Sequence, residues 1–352
     1  MEFNILNKSR QWIGVIDQYK SAIWTPRYWE TGDFEIYIEA TAQNIAMLQK
    51  GFYVTRPDDD MACIVEKINL TEDEDAGKYL IVTGRDLKSI IGRRIVWEQT
   101  NLKGTVEDCI RQLITENIIS PTLSYRKIDN FFLREKKNFT ETLEMQVTGE
   151  NLLDVIIKLC KTYGYGFRVT FNDSRQFMFD LYKGVDRSYS QNVNPYVVFS
   201  PMFDNVKTID YSSDKTNYKN VALVAGEGEG VTRKTVEIGQ GSGLERYELF
   251  VDARDLSTNE GQPEEIPIQE YNNLLAERGN EALASAIISD SFEGEVEPSV
   301  NYSYKQDYFL GDIIQIENEY GITAAPRITE IIESADDNGY SMIPTFSNQE
   351  EG

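Results

Sequence analysis

Histidine is absent from this 352-residue chain. That excludes Ser-His-Asp triads, Cys-His dyads and histidine-ligated zinc. Cysteine occurs only three times, at Cys63, Cys109 and Cys160, too far apart for a C-x-x-C metal or redox pattern. Buried structural thiols, in a chain made in a reducing cytoplasm, are expected. No run of about 20 apolar residues is present, so no membrane span is expected. The opening Met1-Glu2-Phe3-Asn4 lacks the basic start of a signal peptide. Basic residues are outnumbered, 35 Lys and Arg against 58 Asp and Glu, for a net charge of −23. Nucleic-acid readers neutralise phosphates with Lys and Arg, so sequence-specific nucleic-acid binding is not expected. An acidic surface instead keeps a large particle soluble. With 41% hydrophobic and 26% charged residues, the composition is that of a folded protein, long enough for two or three packed units.

The first hundred residues read mainly as β. In Gly32–Glu39, Phe34, Ile36 and Ile38 alternate with Glu35, Tyr37 and Glu39, the pattern of a strand with one buried face. Strands near 61–70 and 78–85 flank a solvated acidic loop, 72–75. A short helix fits 42–49, capped by Thr41. From about 99 the period becomes helical. Thr105 caps a helix with Val106, Cys109, Ile110, Leu113 and Ile114 inward, and a second helix spans 151–163 and stops at Gly164. A hairpin over 167–181 turns at Asn172-Asp173-Ser174. From 201 the chain returns to β, with a buried strand at Val221–Ala225 and a helix near 268–288 bearing an apolar stripe from Ile268 to Ile287. Strands follow at Asp312–Ile316 and Arg327–Ile332, the latter pairing with Tyr340–Phe346 across an Asn338-Gly339 turn. Gly32-Asp33 and Gly311-Asp312 both precede apolar strands, an echo that either a duplication or chance explains.

Candidate chemistry is thin. The glycine-rich Gly226–Gly230 loop carries Glu227 and Glu229, which would repel phosphate, and reads as a sharp strand connection. Ser242 lacks the flanking glycines of a nucleophile elbow. Asp58-Asp59-Asp60 lacks the spacing of a calcium loop and reads as a solvated turn. The aromatic segment from Ile23 to Glu30 fits a sugar platform, a subunit contact or a core. No catalytic, cofactor or metal residues are assigned.

Several segments together carry a resemblance. They are Ile23–Tyr28 with Gly32–Glu35, Arg56–Asp59, Gly84–Leu87, Arg93–Trp97, Gly184–Ser188 and Phe199–Asn205. Tyr218–Ala222 with the Gly226–Gly230 loop, Phe250–Asp255 and Leu310–Ile313 complete the set. In this order they resemble the ReqiPepy-type siphovirus tail proteins of phages and prophages of Gram-positive bacteria.

The resemblance implies a β-rich α+β fold with two tube-like β-barrel domains and an inserted α/β domain. The first barrel-like domain would span 1–98, the inserted domain 99–200, and the second barrel-like domain 201–352 with a helical insertion near 257–290. It further implies a structural, non-enzymatic baseplate hub at the virion tail tip, made in the host cytoplasm. The hub would be a homotrimer that closes the tail tube and joins the distal tail and tape-measure proteins for DNA delivery. A tail fibre or receptor-binding protein would be a further partner. The chain ending at Gly352 is expected to carry no appended hydrolase. Trp24, Arg27, Trp29 and Trp97 are the candidate interface residues. The alternatives are a tail-associated peptidoglycan or glycan hydrolase and a cell-surface carbohydrate-binding module.

Overall fold

Strand alternation builds the N-terminal section of the molecule, as seen in a computed structural model that describes residues 1–73, 77–259, 265–296, 301–318, 320 and 323–347. Its strands are β1 (Phe3–Leu6), β2 (Trp12–Ile16), β3 (Ser21–Thr25), β4 (Asp33–Glu39), β5 (Tyr53–Arg56), β6 (Asp59–Asp73) and β7 (Gly77–Asp86). On β4, Phe34, Ile36 and Ile38 are buried while the residues between them are partly exposed. These side chains meet Phe3, Ile5, Trp24, Val54, Cys63 and Val82 in one core. Helix α1 (Ala42–Met47) closes this core with Met47, and the Thr41 hydroxyl accepts from the Asn44 amide at its start. The tip of the β6–β7 hairpin, within the acidic 72–75 loop, lies outside the described residues.

A 3₁₀ turn (Leu87–Arg93) leads into the α/β section. It contains β8 (Thr100–Thr105), α2 (Val106–Ile114), β9 (Phe131–Leu133), β10 (Thr142–Val147), α3 (Leu152–Tyr163), β11 (Gly166–Phe171) and β12 (Phe177–Tyr182). Thr105 caps α2 and Asn151 caps α3, and Gly164 ends α3 in the left-handed region at φ +69°. The apolar faces of both helices share a core with the β11–β12 hairpin and with Tyr28 and Trp29. All three cysteines are buried and unpaired.

The remaining elements are β13 (Val198–Phe199), β14 (Val206–Asp214), β15 (Val221–Ala225), β16 (Thr235–Gly239), β17 (Glu248–Asp252), α4 (Ile268–Ala284), β18 (Ser289–Val296), β19 (Gln315–Glu317), β20 (Thr323–Ala324), β21 (Arg327–Asp336) and β22 (Gly339–Ser347). The small sheet β16–β15–β17 packs Ala222 and Val224 under Tyr271, Leu274 and Leu275 of α4. Gly279 lets α4 approach, since a Cβ there would lie 2.8 Å from Val224. The helix stops at Ala284, before Ile287, and its first residue Ile268 is exposed, so the buried stripe is shorter than the spacing predicts.

The two β-rich stretches form one sheet. Its order is β14–β18–β22–β21–β3–β4–β7–β6–β5–β1–β2, antiparallel throughout. Strand β3 meets β21 with Trp24 opposite Glu333 and Ser21 opposite Asp336. Among the described residues no pairing closes this sheet, and β2 and β14 are its edges. The two Gly-Asp pairs differ locally. Asp33 opens β4, whereas Asp312 is buried, paired with Arg187, and the chain enters a strand only at Gln315.

Candidate functional site

The β3–β21 seam is where distant parts of the chain converge. Alternation along β3 places Ala22 and Trp24 in the core. Trp24 is fully buried between Phe3 and Phe34, with ring centroids 5.9 and 6.2 Å away, and its indole N–H donates to Asp59 at 3.2 Å. After Pro26 the chain still follows β21. The Tyr28 amide donates to the Thr329 carbonyl at 2.8 Å, and Arg27 pairs with Glu330 and, at 2.6 Å, with Asp33.

Tyr28 is the central side chain. It is fully buried, its hydroxyl donates to the Gly164 carbonyl at 3.1 Å, and it accepts from the Gly184 amide at 3.2 Å. Gly166 and Gly311 lie against its ring, where a Cβ on either would come within 2.2 Å. The Arg327 guanidinium sits 5.4 Å from the ring centroid and donates to the Gly311 carbonyl at 2.6 Å. Burial raises the Tyr28 phenol to about 12, so it remains a neutral donor. Trp29, nearly buried, donates to the Tyr165 carbonyl at 2.9 Å.

Charged groups cross the seam beside these rings. Arg56 is buried over the Trp24 ring, 2.8 Å from Glu333 and 2.5 Å from Asp58. Burial disfavours its charge, but the two carboxylates overcome this and hold the guanidinium cationic. Tyr340 also donates to Glu333, at 2.9 Å. Lys305 reaches Asp59 at 2.8 Å, which makes Asp59 a buried anchor and not part of a solvated turn. Lys88 and Asp86 are buried together; burial lowers the lysine and raises the aspartate. The lysine donates to the Arg27 and Glu30 carbonyls, and Asp86 accepts from the Gly32 amide at 3.0 Å.

A cleft of about 630 Å³ opens beside the seam, lined by Arg27, Asp59, Lys88, Arg168, Tyr182 and Lys305 among others. Its carboxylates are matched by cations, an arrangement that holds surfaces together. Among the described residues no group of three or more metal-ligating side chains forms. Burial raises the Cys109 thiol to about 11 and pushes Cys63 and Cys160 up as well.

Of the four residues singled out by sequence, Trp24, Arg27 and Trp29 come together at the seam, and Trp24 and Trp29 are buried within the chain. Trp97 stands apart and is 53% exposed. Tyr28, Arg56, Glu333 and Asp312 were not singled out. Their one signal is that Tyr28, Arg56 and Asp312 lie inside the segments that carry the resemblance. Those segments meet here: Gly32 with Asp86, Trp24 with Asp59, and Asp312 with Arg187 and the Val185 amide.

Solved structures share this fold. A tail protein from Neisseria meningitidis MC58 is 12% identical with a TM-score of 0.59, over 98% of this chain and 96% of that one. The 43 kDa tail protein of prophage MuSo2 from Shewanella oneidensis is 12% identical with a TM-score of 0.59, over 98% of each chain. Prophage tail protein gp18 from Listeria monocytogenes EGD-e is 12% identical with a TM-score of 0.56, over 100% and 96%. The fold is therefore that of phage tail proteins, β-rich and α+β. The chain belongs to the siphovirus ReqiPepy6 Gp37-like protein family, whose model matches residues 2–347. No curated protein matches it. Among the described residues no helix is long and apolar enough to cross a membrane.

Proposed function

We propose that this tail protein is the baseplate hub of a siphovirus or prophage tail, a structural component of the virion tail tip. The observation that carries the reading is the single sheet assembled from both ends of the chain around an inserted α/β section. In this reading, residues 1–98 and 201–352 are two tube-like domains, 99–200 is the insertion, and each sheet half completes a barrel with a neighbouring copy. Three copies then present six such domains to the tail tube. The free edges at β2 and β14 support the reading, because unpaired edges pair with another chain. Trp12, Ile13 and Val15 are exposed on the β2 strand, as an interface core requires. A heterologous contact of this kind closes a ring about a threefold axis.

The hub closes the tail tube and joins the distal tail protein to the tape-measure protein, with a tail fibre or receptor-binding protein at the periphery. The excess of 23 negative charges suits a channel that must let DNA pass without holding its phosphates. The protein acts without catalysis. The cleft carboxylates Asp58, Asp59 and Asp312 are engaged by Arg56, Lys305 and Arg187. Co-purification with the distal tail protein tests the assignment. A stable complex lost on disrupting the β2 edge is expected; no complex with either distal tail or tape-measure protein overturns it.

A further inference from the structure

A second groove, about 340 Å³, lies in the α/β section, away from the seam residues. Helix α2 does not end cleanly at Ile114. It relaxes into one wide turn, Thr115–Ile119, in which the Ser120 amide reaches back five residues to the Thr115 carbonyl at 2.8 Å. Such turns are rare and frequently mark functional sites. This one directs Asn117 into the interior. The Asn117 amide nitrogen donates to the Leu113 carbonyl at 3.0 Å, and its oxygen accepts from the Trp97 amide at 3.2 Å and from the Arg126 guanidinium at 3.4 Å. Arg126 also donates to the Ile95 carbonyl at 2.8 Å and stacks 4.9 Å from the Trp97 ring centroid. A buried amide therefore fixes both the backbone of Trp97 and the cation against its ring, yet the indole stays largely exposed.

The groove is polar around that ring. The side chains of Glu98, Gln99, Ser120 and Thr122 line it and make no hydrogen bond among the described residues. Gln112 is held by Glu116, and Asn101 by Gln146. A largely polar lining does not suit an apolar ligand, which needs mostly hydrophobic walls. Glu98 and Glu116 disfavour phosphate or carboxylate, and the groove's cation, Arg126, is already engaged. What remains is a neutral ring with an apolar face for the indole and hydroxyls for the carboxylate, amide and hydroxyl side chains. We infer that the Trp97 groove binds a neutral oligosaccharide. The site stands independently of the hub assignment, because glycan binding and trimer formation are read separately.

The test uses the full-length protein and calorimetric titration with chitotriose, maltotriose and poly(glycerol phosphate). Saturable binding of at least one neutral glycan is expected, with none of the phosphate polymer. Trp97→Ala should weaken it by about tenfold or more, the loss that follows removal of a tryptophan anchor. Gln99→Ala should weaken it less. Phe250→Ala removes another exposed aromatic stacked on an arginine, Arg233, and should leave binding unchanged. An unaltered melting temperature in Trp97→Ala separates loss of the site from loss of the fold. Absence of saturable binding to both neutral glycans, equal affinity in Trp97→Ala, or preference for the phosphate polymer overturns the inference.

Discussion

Two tryptophan–arginine pairs in this molecule have opposite surroundings. At the seam, Arg56 lies 5.7 Å from the Trp24 ring, both side chains are buried, and carboxylates from β21 and the β5–β6 turn neutralise the guanidinium. In the α/β section, Arg126 lies 4.9 Å from the Trp97 ring, which faces solvent beside unpartnered polar groups. The same two residue types join strands in one place and leave a recognition surface in the other. What differs is whether their remaining hydrogen-bonding capacity is used within the chain.

Breaking the first pair should have the largest effect. Arg56→Ala strands Glu333, already short of a partner at Oε1, in the interior. A loss of about 3–5 kcal/mol is expected by denaturant unfolding. The double change Arg56→Met with Glu333→Leu should cost less than the single one, because no charge is left buried. Next in size is Gly166→Ala, which drives a methyl group into the Tyr28 ring and should cost about 1–3 kcal/mol by the same measurement.

A partly buried acid without an ion pair among the described residues sharpens the comparison. Glu281 on α4 is raised to about 7, first by burial, against the opposing pull of Arg278 and Lys158 and with Glu150 and Glu277 adding to the rise. Its ordinary value is 4.5, so between about 4.5 and 7 the folded state holds more proton than the unfolded state. Its contribution to stability is therefore fully present below that window and lost as pH rises through 7. Amide exchange along α4 should be slower at pH 5 than at pH 8 after correction for intrinsic rates, and Glu281→Gln should remove the difference. The smallest effect on stability belongs to Trp97→Ala, within about 0.5 kcal/mol as for a surface change, despite its expected effect on glycan binding.

Much of the local structure was legible in the sequence. Thr105 and Gly164 mark the start of α2 and the end of α3, and the alternation in Phe167–Phe171 and Phe177–Leu181 marks the β11–β12 hairpin. The strand 221–225 and the β21–β22 hairpin are equally local signals. The seam was not legible. Arg27 meets Glu330 and Arg56 meets Glu333 across separations of 303 and 277 residues, and no period or cap encodes such pairings. Nor does the segment Ile23–Glu30 reveal that Trp24, Tyr28 and Trp29 are all core, since the Gly164 and Tyr165 carbonyls that hold Tyr28 and Trp29 lie 136 residues away in sequence. The strand expected to begin at Asp312 starts later because its carboxylate is taken by Arg187 and by the Val185 and Phe309 amides, another long-range choice. Trp97 was singled out as a contact, but its groove depends on the wide turn after α2, which the helical spacing conceals.

Solution mass is the most direct test of the central claim that one sheet drawn from both ends of the chain is the building block of a ring. Light scattering after size exclusion, over a range of concentrations, should give a stable mass three times the 40.3 kDa chain. A monomer at every concentration, both alone and mixed with the distal tail protein, would contradict it.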